Sequence, residues 1–254
     1  MFDFDRYMEE QYVSVPGMSS AFSARICTDL LRGQAGSHWG GHVAEIGAFE
    51  GRFLIALLSA LQAGERAVAI DRYDWPDIHV NVRLDQRLRL FGLRDRVDIV
   101  CGDSRTMTPE MIAPNQAQAG FRFFHVDGDH QRASLVQDMQ LAFACMLPYG
   151  VVCLDDMLSP AYPELMLGVA ESLEAHPDWR VFCIIDREDI AASAKFLLCR
   201  HDYADHYSAL LSQRFAGHVW KMQAQFATHQ AVVLAPAPRL QRFNLGGTVD
   251  TLQS

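Results

Sequence analysis

Two apolar runs in this chain end in clustered acids. FRFFHVDGDH at residues 121–130 delivers Asp127, and VVCLDD at residues 151–156 delivers the adjacent pair Asp155 and Asp156. Each run has the character of a buried strand, and successive strands of a βα repeat are often neighbours in a parallel sheet. Side by side, they would bring three carboxylates together. Like charges raise one another's pKa, so three crowded acids call for a compensating cation. Oxygen-only ligands favour a hard divalent ion such as Mg2+, Mn2+ or Ca2+ over zinc, and Mg2+ is the expected one. The plainer alternative is that these aspartates cap the neighbouring helices. His130 follows Asp127 by three residues. With a reference pKa near ~6.5, a histidine there can be neutral and accept a hydroxyl proton. His125 reads as an ordinary polar or core residue.

Upstream, VAEIGAFEG at residues 43–51 supplies a glycine turn. Gly47 permits a tight turn, Ala48 continues it, and Gly51 permits close approach at the start of the following helix. The spacing is G-x-x-x-G, so the G-x-G-x-x-G fingerprint of a pyrophosphate cradle is incomplete. Glu45 stands inside an apolar strand, where a carboxylate needs hydrogen bonds from a ligand or an amide. The run AVAID ends at Asp71, followed by Arg72, and IVCGDS places Asp103 and Ser104 in a loop. An acid at the end of a second strand can accept both hydroxyls of a ribose. Asp103 and Ser104 can hold an adenine amine and nearby polar atoms. Taken singly, either acid could be a cap or a turn residue.

This ordered set resembles the class I S-adenosylmethionine-dependent methyltransferases over roughly residues 42–200. The resemblance implies that Glu45, Gly47 and Gly51 shape the methionine pocket, with Ala48 in the same turn. It places the ribose on Asp71 beside Arg72, and the adenine at Asp103 and Ser104, with Asp127 at the edge of the cofactor site. Asp127-Gly-Asp-His130 followed by Asp155-Asp156 further resembles the metal-dependent O-methyltransferases of the macrolide-sugar type and, less closely, the catechol type. That likeness implies a divalent cation on Asp127, Asp155 and Asp156, His130 as the base, and a small-molecule hydroxyl as acceptor. The chain has Asp155 where the sugar enzymes carry Glu. Both residues ligate a hard cation, so the departure bears on the substrate and not on the metal. A homo-oligomer is expected by family analogy.

The elements that must position these residues alternate between two periodicities, as a βα repeat does. Strands are predicted at 42–46, 66–71, 96–101, 121–127 and 151–154, with helices at 52–62, about 79–92 and 162–176. The clearest helix carries Leu135, Val136, Met139, Ala142, Phe143, Met146 and Leu147 on one face, ended by Pro148 and Gly150. Two strand-like runs, 180–185 and 195–199, then follow without a full helix between them. The fold class expected is α/β: a doubly wound, mostly parallel, seven-stranded, Rossmann-like sheet with one antiparallel edge strand. The domain reading is an N-terminal helical extension (1–38, with a helix around 18–31), a cofactor-binding domain (39–200), and a C-terminal helical extension and tail (201–254). Helical spacing is read over 207–226, and the tail beyond Pro238 as loosely ordered or partner-dependent.

Of the 31 acids in 254 residues, 21 are aspartate, against 22 Lys+Arg, and the net charge is −9. Phosphate neutralisation needs clustered basic residues, and none is present, so nucleic acid is not an expected partner. The acidic start and the absence of a long apolar run give no secretory signal or membrane span, and a cytoplasmic location is expected. Six scattered cysteines without a CxxC pair read as buried thiols. Two other functions use similar features: an NAD(P)-dependent oxidoreductase, which shares the glycine turn and the acid after the second strand, and a non-catalytic module that keeps the cofactor fold for assembly.

Overall fold

The computed structural model describes residues 2–113 and 120–236. Five parallel strands come first: β1 (His42–Ile46), β2 (Ala67–Asp71), β3 (Val97–Cys101), β4 (Phe121–Val126) and β5 (Met146–Met157). They are followed by β6 (Trp179–Ile185), β7 (Ala194–Arg200), β8 (Val219–Phe226) and β9 (His229–Leu234). The sheet order is β3-β2-β1-β4-β5-β7-β6-β9-β8. β7 runs antiparallel between β5 and β6, and β8 is the antiparallel edge.

The helices are α1 (Phe4–Arg6), α2 (Ala21–Gly36), α3 (Arg52–Leu58), α4 (Val80–Leu90), α5 (Pro109–Ile112), α6 (Arg132–Cys145), α7 (Leu165–Ala175) and α8 (His201–Arg214). Side chains alternate across a strand, and the two cores show it. Val43, Ala67, Ala69 and Phe123 pack with α2, α3, α4 and α8 on one face. Ala44, Val68, Ile70 and Phe124 pack with α6 and α7 on the other. The sheet is therefore doubly wound. Its strand order reverses between β1 and β4, and the carboxyl ends of those two strands form the switch point at which such sheets bind ligands.

The C-terminal extension departs from its expected helical character. Helix α8 ends at Arg214, and Val219–Leu234 forms a hairpin whose second strand adds parallel to β6 through Cys183↔Val232 and Ile184↔Val233. The seven expected strands thus become nine. The apolar residues at 215, 219, 222 and 226 fit a helical period, but the β-branched pair Val232-Val233 supplies a partner strand that pulls the segment into the sheet. Strand β5 also starts earlier than its apolar run: Met146 already pairs with Phe121, and the register then shifts so that Val151 pairs with Phe123. The expectation for the tail beyond Pro238 lies outside the described residues. Among the described residues, no helix is long and apolar enough to cross a membrane.

Candidate active site

A cavity of about 520 Å³ opens over the carboxyl ends of β1 to β4. It is lined by Glu45, Gly47, Ala48, Asp71, Arg72, Asp103, Ser104, Asp127 and His130, and closed in part by Met18, Ser19, Phe49, Trp75 and Tyr162. Nearly all the sequence-predicted cofactor residues thus come together. Gly51 is the exception. It caps α3 at φ +86°, and a Cβ there would stand 2.6 Å from Leu84 Cδ1, so this glycine serves helix packing behind the turn.

Gly47 sits at the switch point. Its φ is +80°, and a Cβ would fall 1.6 Å from the Asp127 carbonyl oxygen. The turn is tied on both sides, with Gly47 N donating to Ile70 O (2.8 Å) and Asp127 N to Ile46 O (3.0 Å). Asp71 braces it from β2: one carboxylate oxygen accepts from Phe49 N (2.8 Å) and the other from Tyr73 N (2.8 Å). Asp103 is gripped by the side chain and the amide of Arg105, which hold its pKa down to about 2. Next to Ser104, burial pushes Asp138 up to about 6, against the hydrogen bond from that serine.

Glu45 is 2% exposed. Its Oε1 pairs with His125 Nδ1 at 2.8 Å, whereas its Oε2 has no hydrogen-bond partner. Burial pushes its pKa up, a cost that a cationic ligand group would relieve. An adenosyl donor with an ammonium and a sulfonium fits such a cavity: carboxylates of Asp71 and Asp103 on its wall, an unsatisfied buried carboxylate oxygen at Glu45, and a volume ordinary for a small-molecule site. Asp71→Ala is expected to weaken S-adenosylhomocysteine binding about ten- to a hundred-fold, since hydrogen bonds to a charged group contribute ~1.5–3 kcal/mol. Isothermal titration checks it, and an affinity unchanged within about a factor of two would remove Asp71 from the cofactor site.

The acids of the second segment divide. The backbone at Asp156 takes a left-handed φ of +58° within a register shift at the end of β5, and Asp155 and Asp156 diverge there. Asp156 Oδ2 lies 2.8 Å from His130 Nε2, and the His130 ring stacks on Tyr162 with centroids 4.2 Å apart. The hydrogen bond to Asp156 raises the His130 pKa against the effect of burial. Ligand atoms of Asp127, His130 and Asp156 all lie within 4.8 Å of one another, as do those of Asp127, His125 and Asp155. Asp127 is the shared member, and burial, followed by the charge on Asp155, pushes its pKa well above the carboxylate range.

Asp155 instead turns inward. It forms an ion pair with the ammonium of Lys195 and accepts from Ser19 Oγ (3.0 Å). Lys195 also reaches His125 Nε2 (3.0 Å), completing a buried chain from Glu45 through His125 and Lys195 to Asp155. Burial opposes ionisation of Asp155, but Lys195 and His125 outweigh it and hold its pKa well below the usual range. Burial and the Lys195 charge oppose a charge on His125, whereas Asp155 and Glu45 favour one. Because Nε2 faces an ammonium that can only donate, the geometry favours the singly protonated ring with Nδ1–H donating to Glu45. Sequence reasoning missed Lys195, Ser19 and the partnership of His125. The available signal was a lysine inside the apolar run AKFLLC, in a chain with only two lysines.

The methyltransferase-domain family Methyltransf_24 matches residues 44–157. No curated protein matches the chain in sequence. Among solved structures, the O-methyltransferase TomG of Streptomyces achromogenes, involved in tomaymycin synthesis and bound to S-adenosylmethionine, is similar at 18% identity. Its TM-score is 0.58, with 78% of this chain and 88% of TomG covered. An O-methyltransferase from Bacillus cereus in complex with S-adenosylhomocysteine is similar at 17% identity and TM-score 0.59, over 78% of this chain and 90% of that one. CalS11, a TDP-rhamnose 3'-O-methyltransferase of calicheamicin biosynthesis, is similar at 15% identity and TM-score 0.54, over 78% and 86%. The methyltransferase-domain match runs from β1 to the end of β5, the stretch whose strand ends line most of the cavity, and the chain shares the fold of these S-adenosylmethionine-dependent O-methyltransferases.

Proposed function

We propose that this protein is an S-adenosylmethionine-dependent methyltransferase that acts on a hydroxyl group of a small molecule. The observation that carries the reading is the His130–Asp156 pair, 2.8 Å apart, where His130 lines the cofactor cavity. A histidine oriented by a carboxylate is a general base: Asp156 fixes the ring and favours the imidazolium formed when a hydroxyl proton is taken. Tyr162 stacked on the ring holds its plane. S-adenosylmethionine supplies the electrophilic methyl group when bound, and Gly47, Asp71 and Glu45 position its ends.

A divalent cation, with Mg2+ the expected one, would be held at the acidic cluster around Asp127. Its chemistry there would be to lower the pKa of the acceptor hydroxyl. The donor set supports this reading, since Asp127 and Asp156 present carboxylates within 4.8 Å of one another. EDTA is accordingly expected to abolish turnover, measured as S-adenosylhomocysteine release, and added Mg2+ or Mn2+ to restore it. Full activity in EDTA would leave His130 and Asp156 as the sole activators.

Acceptors of the kinds named for the similar structures, a nucleotide-linked sugar for CalS11 and a natural-product intermediate for TomG, are the first to assay. A nucleic-acid acceptor is disfavoured by the net charge of −9. Methyl transfer from labelled S-adenosylmethionine across a panel of sugars, phenols and polyketides tests the reading, and transfer confined to amines or thiols would overturn it.

A further inference from the structure

The Lys195 side chain is 1% exposed, and an unpaired ammonium at that depth would be untenable. An ammonium has three donors, and all three are placed: on Asp155 Oδ2, on Ser19 Oγ (3.1 Å) and on His125 Nε2 (3.0 Å). The Phe53 ring lies 4.7 Å away. Asp155 is committed in turn. Its Oδ2 accepts from Lys195 and from Ser19 Oγ, and its Oδ1 from the Asp156 amide (2.8 Å). Among the described residues no hydrogen bond holds the Asp127 carboxylate, and Asp156 engages only His130 through its side chain. A small cleft lined by Asp127, His130 and Asp156 also meets Asp138, whose Oδ1 is buried without a hydrogen-bond partner.

We propose that Lys195 is a positioning residue that keeps Asp155 out of the cation site, so that the exchangeable divalent ion is held by Asp127 and Asp156 alone. This deepens the metal arm of the proposed function and rests on it. Lys195 supplies from inside the protein the positive charge that three converging acids require. The ion's remaining positions are left to acceptor oxygens and water, in keeping with Mg2+, which is commonly held by one or two carboxylates. Ser19 joins the N-terminal segment to this lock, so residues ahead of α2 help set the charge of a site built on β4 and β5.

The test is a Mn2+ titration of the full chain loaded with S-adenosylhomocysteine, followed by electron paramagnetic resonance of the free ion. Asp156→Asn is expected to weaken Mn2+ binding by more than about ten-fold, and Asp155→Asn by less than about three-fold. Lys195→Met, which releases a third carboxylate to the site, is expected to tighten binding roughly ten-fold. The double variant Lys195→Met/Asp155→Asn should return to wild-type affinity, as should Lys195→Arg, which keeps the charge. A lysine with a merely structural role would not produce a gain. Should Lys195→Met fail to fold, the comparison of Asp155→Asn with Asp156→Asn still decides. Equal losses in those two variants, with Mn2+ bound by the wild type, overturn this inference alone. No binding by the wild type would overturn the metal reading and this inference with it.

Discussion

Gly47→Ala is expected to weaken cofactor binding by about thirty-fold or more. The methyl group would stand 1.6 Å from the carbonyl oxygen of Asp127, far inside van der Waals contact, and that oxygen is backbone that no rotamer change can move. The β1 turn and the β4 loop are hydrogen-bonded to each other, so relief requires parting the two strand ends between which the cofactor cavity opens. A non-glycine residue at positive φ costs roughly 1–2 kcal/mol, and overpacking typically adds about 1–3 kcal/mol. Each 1.4 kcal/mol is about ten-fold in affinity, so strain of ~2–5 kcal/mol falling on the site is a loss of roughly thirty-fold to a few thousand-fold for S-adenosylhomocysteine. Gly64→Ala is the control: it shares a φ of +83° but meets nothing within 4 Å. Gly64→Ala should carry the backbone strain without the collision, lowering Tm slightly and sparing affinity. Titration calorimetry on both variants separates the two effects. A Gly47→Ala protein that binds within about three-fold of wild type would show that the turn does not form the cofactor floor.

His130→Ala is expected to lower kcat by about 10²- to 10⁴-fold, the usual contribution of a general base, while S-adenosylhomocysteine affinity changes by less than about three-fold. The pH dependence gives a second readout. His130 must be neutral to accept a proton, so activity should rise with pH through its pKa. The hydrogen bond to Asp156 raises that pKa above its ordinary value, which moves the acid limb to higher pH than an ordinary imidazole would give. Removing the negative charge with Asp156→Asn disfavours the imidazolium, lowers the pKa and moves the acid limb to lower pH, with kcat reduced on the plateau. An acid limb that stays put in Asp156→Asn would assign it to another group. Unchanged kcat in His130→Ala would remove the base from the mechanism altogether.

Much of the cofactor half of the site was legible in the chain because its residues sit at strand ends, and strand ends are local features. The runs AEIG, AVAID and IVCGD each announce a strand, and the residue after each run is placed by the strand itself. Asp71 and Asp103 therefore appear where expected, although their partners, the Phe49 amide and Arg105, were not foreseen. Gly51 shows the limit of that reasoning. Its spacing marks it as part of the turn, but what it approaches is Leu84, a residue of α4 brought there by packing.

Composition and periodicity determined the α/β class, the doubly wound sheet and the arrival of Asp127, Asp155 and Asp156 in one region. They could not determine which way each acid points or what charge it meets. Glu45, His125, Cys153 and Leu197 are matched across four strands, and that register lays Lys195 beside Asp155 from forty residues away. Pairing between distant strands depends on the side chains buried together on each face, which no local pattern encodes. The same holds at the C-terminus, where Val232 and Val233 join β6 and turn an expected helical extension into two strands. The sequence by itself placed the aspartates at the strand ends. The tertiary structure decided that one of them is already paired with a buried lysine, because only the folded sheet brings β5 and β7 together.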